Sequence, residues 1–239
     1  MPWTEASIAE ICREGDQYTV RLSCSNRVVA VPGQYILADL PAHTPAQCTA
    51  TAVTLFPTQL DAHGLYAVPA YPTANTCQIP AAWQPGSQLL MRGPLGRGFY
   101  LPGDVRRLLL VAAGSTGARL SPLIAQAQAQ RADIVLCTHL STAALPSSIE
   151  AYPLRSFAGI VSWADFIAVD VLLEDLPGLR QQLGLSAEQR LPCPAQALLL
   201  TPMPCGGLAA CGACAVHTDR GYRFVCEDGP VFALDRLDW

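Results

Sequence analysis

Lysine is absent from the 239 residues, so all 15 basic side chains are arginine. Charge of either sign is sparse, at 14% against 51% hydrophobic residues, and the net charge is −4. So little positive charge excludes binding to a nucleic-acid backbone, which takes a basic patch. Long apolar runs are missing too. The longest, Leu108 to Ala113, falls well short of the roughly 18 residues of a membrane-spanning helix and reads as a buried strand. The start, Met1-Pro2-Trp3-Thr4-Glu5, has neither the basic residues nor the apolar stretch of a secretory signal, and a cytoplasmic location is expected. There is no charge run, repeat or low-complexity tract, and the 20 prolines are scattered through loops. No Ser/His/Asp arrangement and no paired carboxylates stand out. His43, His63, His139 and His217 are isolated, and His217, close after Cys214, reads as a hairpin side chain rather than a ligand.

What is present divides the chain into three parts. Residues 1–102 read as short strands separated by Pro- and Gly-rich turns: 18–24, 27–31, 35–40, 49–55, 65–70 and 88–92. Tyr18-Thr-Val-Arg-Leu-Ser-Cys24 alternates with period 2, and such spacing suggests a small antiparallel barrel. In residues 103–202 the pattern becomes strand, Gly-containing turn, helix, strand. Apolar Arg107–Ala113 leads through Gly114-Ser-Thr-Gly117 into helix-compatible Ala118–Arg131. Strands 133–139, 166–171 and 195–201 follow, with a helix carrying Leu176, Leu179 and Leu183. This alternation predicts a parallel, doubly wound α/β sheet. The turn at Gly114 could cradle a phosphate at a helix start or simply reverse the chain. Residues 203–239, rich in Cys and Gly, are expected to stand outside that sheet.

Ten cysteines need explaining. Cys12, Cys24, Cys48, Cys77, Cys137 and Cys193 sit alone and read as small buried hydrophobes. Cys205, Cys211, Cys214 and Cys226 instead follow the spacing C-x5-C-x2-C-x11-C. That is close to the plant-type [2Fe–2S] pattern, C-x4-C-x2-C with a distant fourth ligand. Four thiolates can surround a two-iron cluster only if one loop wraps it closely, and Gly206, Gly207 and Gly212 allow such a loop positive φ. Residues 215–225 can return as a hairpin bearing the fourth thiolate. Two other readings remain: a structural zinc site, although zinc ribbons usually use two C-x2-C knuckles and this chain has one, and four incidental cysteines.

The tail resembles the electron-transfer subunit of type B dihydroorotate dehydrogenase, an iron–sulfur flavoprotein related to ferredoxin reductases. Cys205-Gly-Gly-Leu-Ala-Ala-Cys-Gly-Ala-Cys214 and Cys226-Glu-Asp-Gly-Pro-Val-Phe232 carry the resemblance. Pro32-Gly-Gln-Tyr35, Gly93-Pro-Leu-Gly-Arg-Gly-Phe99 and Ala113-Gly-Ser-Thr-Gly117 occur in the family's order. The resemblance implies a ferredoxin-reductase-like β barrel plus α/β architecture with a carboxy-terminal [2Fe–2S] subdomain. It implies FAD contacts at Val53, Thr54 and Thr73, and nicotinamide nucleotide contacts at Gly114, Thr116 and Gly117. In that family NADH reduces FAD, the cluster passes electrons on, and an FMN-containing dihydroorotate dehydrogenase subunit is the partner, in pyrimidine biosynthesis.

The chain departs from the family at the nucleotide contacts. Thr51-Ala-Val-Thr54 replaces an Arg-Pro-x-Ser type segment, which removes a charge-assisted pyrophosphate contact. A second flavin segment, Leu65-Tyr-Ala-Val-Pro-Ala-Tyr-Pro-Thr73, again lacks Arg. Gly117-Ala-Arg-Leu-Ser-Pro122 is two residues longer than the usual Gly-x-x-Pro, and no Cys-Gly-Pro follows Phe166–Asp170. FAD is therefore expected through an eroded site, and NAD(H) is expected only weakly. The alternatives to the dihydroorotate branch are a sulfhydrogenase or ferredoxin–NADP reductase type complex, or a zinc-stabilised scaffold without redox function. The high hydrophobic content and Trp239 are read as features of a subunit interface.

Overall fold

The computed structural model describes residues 3–14, 17–24, 30–41, 52–70, 79–114, 116–140, 148–186 and 188–239. Alternating apolar residues close a six-stranded antiparallel barrel from β1 (Thr4–Glu14), β2 (Gln17–Cys24), β3 (Tyr35–Asp39), β4 (Val53–Asp61), β5 (Gly64–Pro69) and β6 (Gln88–Leu95), in the order β1-β2-β5-β4-β3-β6. Its interior is filled by Ile8, Val20, Leu22, Ile36, Leu55, Leu65, Leu89 and Met91, with Trp83 as a plug. Strand β1 has no counterpart among the sequence expectations. Its inward pattern holds only for Ala6 and Ile8, then a bulge before Glu10 breaks the period and the end carries exposed charge. The expected strand 49–55 begins at Val53 and runs on to Asp61, because a bulge between Pro57 and Gln59 accommodates a proline that otherwise argues against a strand. Residues 27–29 and 49–51 of those expected strands lie outside the described residues, and Ala30 and Val31 are not in a strand.

The second sheet has the order β14-β11-β10-β7-β8-β9. Strands β7 (Arg107–Ala112), β8 (Asp133–Thr138), β9 (Glu150–Tyr152), β10 (Phe166–Leu172) and β11 (Ala195–Leu200) are parallel, as the continuous apolar runs require when both faces are covered. The strand order reverses between β7 and β10. One 3₁₀ turn, Ala118–Leu120, precedes helix α1 (Ser121–Ala129). The second expected helix is broken: Pro177 confines Leu173–Gly178 to 3₁₀ geometry before a single α turn at Leu179–Gln182, yet Leu176, Leu179 and Leu183 are all buried.

The tail is not separate from this sheet. Strand β14 (Val231–Ala233) pairs antiparallel with β11, and a two-stranded hairpin, β12 (Ala215–Thr218) with β13 (Gly221–Phe224), precedes it. The Cys- and Gly-rich composition hid the three apolar residues that extend the sheet. One apolar cluster joins the three parts, taking Tyr35, Leu37 and Phe56 from the barrel, Leu108, Leu110 and Leu198 from the sheet, and Val231 from the tail. No helix among the described residues is long and apolar enough to cross a membrane.

Candidate metal centre

The four clustered cysteines lie on one loop and its returning hairpin. The loop from Cys205 leaves the end of β11, and Gly206, Gly207, Ala209 and Gly212 adopt φ of 61°, 73°, 53° and 74°. This left-handed winding turns backbone N–H groups inward, so that those of Ala210, Leu208 and Cys211 donate to the Cys205 sulfur and that of Ala209 to the Cys226 sulfur. The β12–β13 hairpin reverses the chain with Ala215 opposite Phe224, and the Val225 N–H donates to the Cys214 carbonyl at 2.9 Å. Cys226 is thereby brought beside Cys214, with Sγ to Sγ at 3.3 Å.

The thiols form two pairs, Cys205 with Cys211 and Cys214 with Cys226. Burial works to raise the Cys205 thiol, but the surrounding N–H groups and Cys211 outweigh it and bring it down to about 7. Burial and the neighbouring Cys214 push Cys226 up to about 12. Cys214 and Cys226 are buried, Cys205 is half-buried and Cys211 is exposed. Among the described residues no group of three His, Cys, Asp or Glu side chains is arranged to hold a single metal ion. Paired thiols lined by N–H groups fit a centre with two irons, each taking two cysteines, better than the four-fold convergence of a zinc site.

The loop is fastened to the barrel by Tyr35. Its ring is fully buried and tilted against Phe56 on β4 (6.3 Å between centroids), and its hydroxyl donates to the Cys226 carbonyl at 2.9 Å. Burial, with the Cys226 thiol beside it, pushes the Tyr35 hydroxyl far above its ordinary pKa, keeping it a donor. Gly207 lies so close that a Cβ there would sit 2.6 Å from the Tyr35 hydroxyl oxygen. The Arg97 N–H donates to the Gly229 carbonyl and the Val231 N–H to the Arg97 carbonyl, so Gly93–Phe99 and the tail clasp each other.

The nucleotide-type residues are distributed differently. Val53 and Thr54 open β4 and are half-buried, with the Thr54 carbonyl accepting from the Ala70 N–H, while Thr73 lies outside the described residues. Gly114, Thr116 and Gly117 sit at the carboxyl end of β7, where the Thr116 hydroxyl accepts from the Ala118 N–H. The sequence reading did not single out the ion pair beside them, Arg119 with Asp170, both fully buried, at 2.9 Å from Nε to Oδ2. Its signals were the two extra residues around Arg119 and the missing Cys-Gly-Pro after Asp170.

Of the isolated cysteines among the described residues, expected as small buried hydrophobes, Cys137 alone is fully buried. Cys12 is exposed and donates to Glu10, because β1 has outlived its buried face by that point. Cys137 is buried and its thiol is pushed up to about 11 by burial, whereas Cys24 and Cys193 are half-buried. Cys48 and Cys77 lie outside the described residues. His217 stands on β12 with its ring edge-on to Tyr222 and its Nδ1 3.8 Å from the Asp238 carboxylate. At Trp239, Arg180 stacks over the ring at 4.3 Å and donates to the carbonyl.

Barrel, α/β sheet and clasped cysteine tail together define a ferredoxin-reductase-like architecture. Residues 201–238 match the family described as the iron–sulfur cluster binding domain of dihydroorotate dehydrogenase B. The family read from the cysteine motif is thus supported. Proteins of Thermotoga petrophila and Thermotoga maritima named as dihydroorotate dehydrogenase B (NAD(+)) electron transfer subunits are each 52% identical over 33 residues, which is 14% of this chain and 15% of theirs. The fold matches that of an NADH-dependent reduced ferredoxin-NADP oxidoreductase, with a TM-score of 0.73 at 17% identity, covering 100% of this chain and 91% of the other. It also matches a ferredoxin reductase in carbazole 1,9a-dioxygenase described in an FAD apo form, with a TM-score of 0.55 at 15% identity over 78% of this chain and 63% of that one.

Proposed function

We propose that the chain is an electron-transfer subunit that holds a [2Fe–2S] cluster on Cys205, Cys211, Cys214 and Cys226 and serves an FMN-containing dihydroorotate dehydrogenase subunit. The observation that carries this reading is the pairing of the four thiols in a tail that matches the iron–sulfur family. When bound, such a cluster supplies a one-electron relay. The chain's own part is to hold it and to shield it unevenly. Loop N–H groups supply the donors that stabilise thiolate sulfur, Cys214 and Cys226 face the buried side, and Tyr35 fixes that side to the barrel. On the other side Leu208 is 50% exposed and Cys211 is exposed, so one edge is open to a protein partner.

FAD on the barrel, bordered by β4 at Val53 and Thr54, belongs to the same reading. There the contacts would come from the backbone, since Thr51 stands where the resembled family has the arginine that grips the pyrophosphate. A partner's reaction, dihydroorotate oxidation, stands on the family of the tail. The partner is tested by purifying the tagged, full chain from its own cells under anaerobic conditions. An FMN-containing protein that oxidises dihydroorotate should accompany it in near-equal amount. A chain that elutes alone, iron-loaded and with no flavoprotein, would refute the assignment of partner.

A further inference from the structure

The crevice at the carboxyl ends of β7 and β10 is where the strand order reverses, the general place for a dinucleotide in an open α/β sheet. A pyrophosphate there needs space over the turn glycine and free N–H groups at the start of the following helix. The space is taken, and the N–H groups of Ala118, Leu120 and Ser121 are already engaged. A Cβ on Gly114 would meet the Asp170 Oδ1 at 3.0 Å and the Arg119 Nη2 at 3.1 Å, so the ion pair already lies on the glycine. Arg119 grips Asp170 through both Nε (2.9 Å) and Nη2 (3.3 Å), and neither side chain is exposed to solvent.

Donors at the helix start are engaged as well. The 3₁₀ turn Ala118–Leu120 uses the Leu120 N–H on the Gly117 carbonyl and the Ser121 N–H on the Ala118 carbonyl, and Pro122 has none to give. The Ser121 hydroxyl lies 2.7 Å from the Ala118 carbonyl and 3.1 Å from the Thr58 carbonyl of β4, which seats the helix start on the barrel. A further donor, Arg119 Nη1, is buried and has no hydrogen-bond partner among the described residues.

We propose that the Arg119–Asp170 pair is a built-in plug which closes the switch-point crevice, so that no nicotinamide dinucleotide seats in this chain. The inference rests on the electron-transfer reading only for the interest of the question, since the closure itself follows from the packing. For Arg119 to swing out and meet a phosphate, Asp170 must be left buried and unpaired. That lowers any binding constant depending on the movement by roughly 10²–10⁴. The plug therefore sets this chain apart from relatives named for NAD(+), and it puts nicotinamide chemistry, if the assembly has any, on another subunit.

The test uses the full, iron-loaded chain with added FAD. NADH and NADPH are titrated to about 1 mM while nicotinamide fluorescence is followed, the range that would reveal even weak binding. Dithionite reduction of the visible absorption is run in parallel as a check on the redox centre alone. No saturable fluorescence change with either nucleotide is expected, alongside normal bleaching by dithionite. Saturable binding of NADH or NADPH overturns the plug, whether or not Arg119→Met abolishes it. Failure of dithionite to bleach the protein strikes instead at the electron-transfer reading and leaves the binding result intact.

Discussion

Removing one oxygen from Tyr35 should loosen the cysteine loop by a predictable amount. Tyr35→Phe keeps the ring against Phe56 but leaves the Cys226 carbonyl without the 2.9 Å hydrogen bond. A buried acceptor stripped of its partner costs about 1–3 kcal/mol. Gly207→Ala tests the other side of the same contact. Its φ of 73° alone strains an L-residue by about 1–2 kcal/mol. The new methyl would also collide with the Tyr35 hydroxyl at 2.6 Å, whereas the next ring atom is 3.7 Å away, in ordinary contact. Gly207→Ala should therefore cost distinctly less in the Tyr35→Phe background than in the wild-type chain, with a coupling of about 0.5–3 kcal/mol. Urea titrations of all four proteins, followed by loss of visible absorption and by circular dichroism, measure the cycle. Costs that simply add, to within about 0.5 kcal/mol, would show that the hydroxyl does not bear on the loop.

The remaining expectations concern single sites. Cys214→Ser or Cys211→Ser should abolish the visible absorption of the anaerobically purified chain, whereas Cys24→Ser and Cys137→Ser should leave it unchanged, as spectra and iron analysis will show. Arg119→Met or Asp170→Leu alone should each cost about 3–5 kcal/mol in denaturant unfolding, and the double variant should recover most of that loss, because the penalty lies in the orphaned charge. FAD should be substoichiometric after gel filtration, since the sequence has Thr51 where the resembled family has a pyrophosphate-binding arginine; tight one-to-one FAD would show that backbone contacts suffice.

Much of this molecule was legible in its residues where one physical signal dominated. The apolar run Leu108–Ala113 could only be a strand covered on both faces, and the cysteine spacing with Gly206, Gly207 and Gly212 anticipated a loop wound through positive φ. What escaped depended on partners distant in sequence. Strand β1 is held by β2 and β6 although half its length is exposed, and β14 was masked by the Cys- and Gly-rich segment around it. The Tyr35 hydroxyl meets a carbonyl 191 residues away, and Arg119 finds Asp170 across 51 residues, contacts that no local pattern announces. The two inserted residues near Arg119 marked an altered turn without saying what filled it. The stacking of Arg180 over Trp239, 59 residues apart, is another such contact.

The most direct test of the account is the metal content and magnetic signature of the full chain purified without oxygen from iron-replete cells. The account requires about two irons and about two acid-labile sulfides per chain, with an S = 1/2 paramagnetic signal appearing on dithionite reduction. Stoichiometric zinc with neither iron nor sulfide, and a colourless protein silent after reduction, would contradict it.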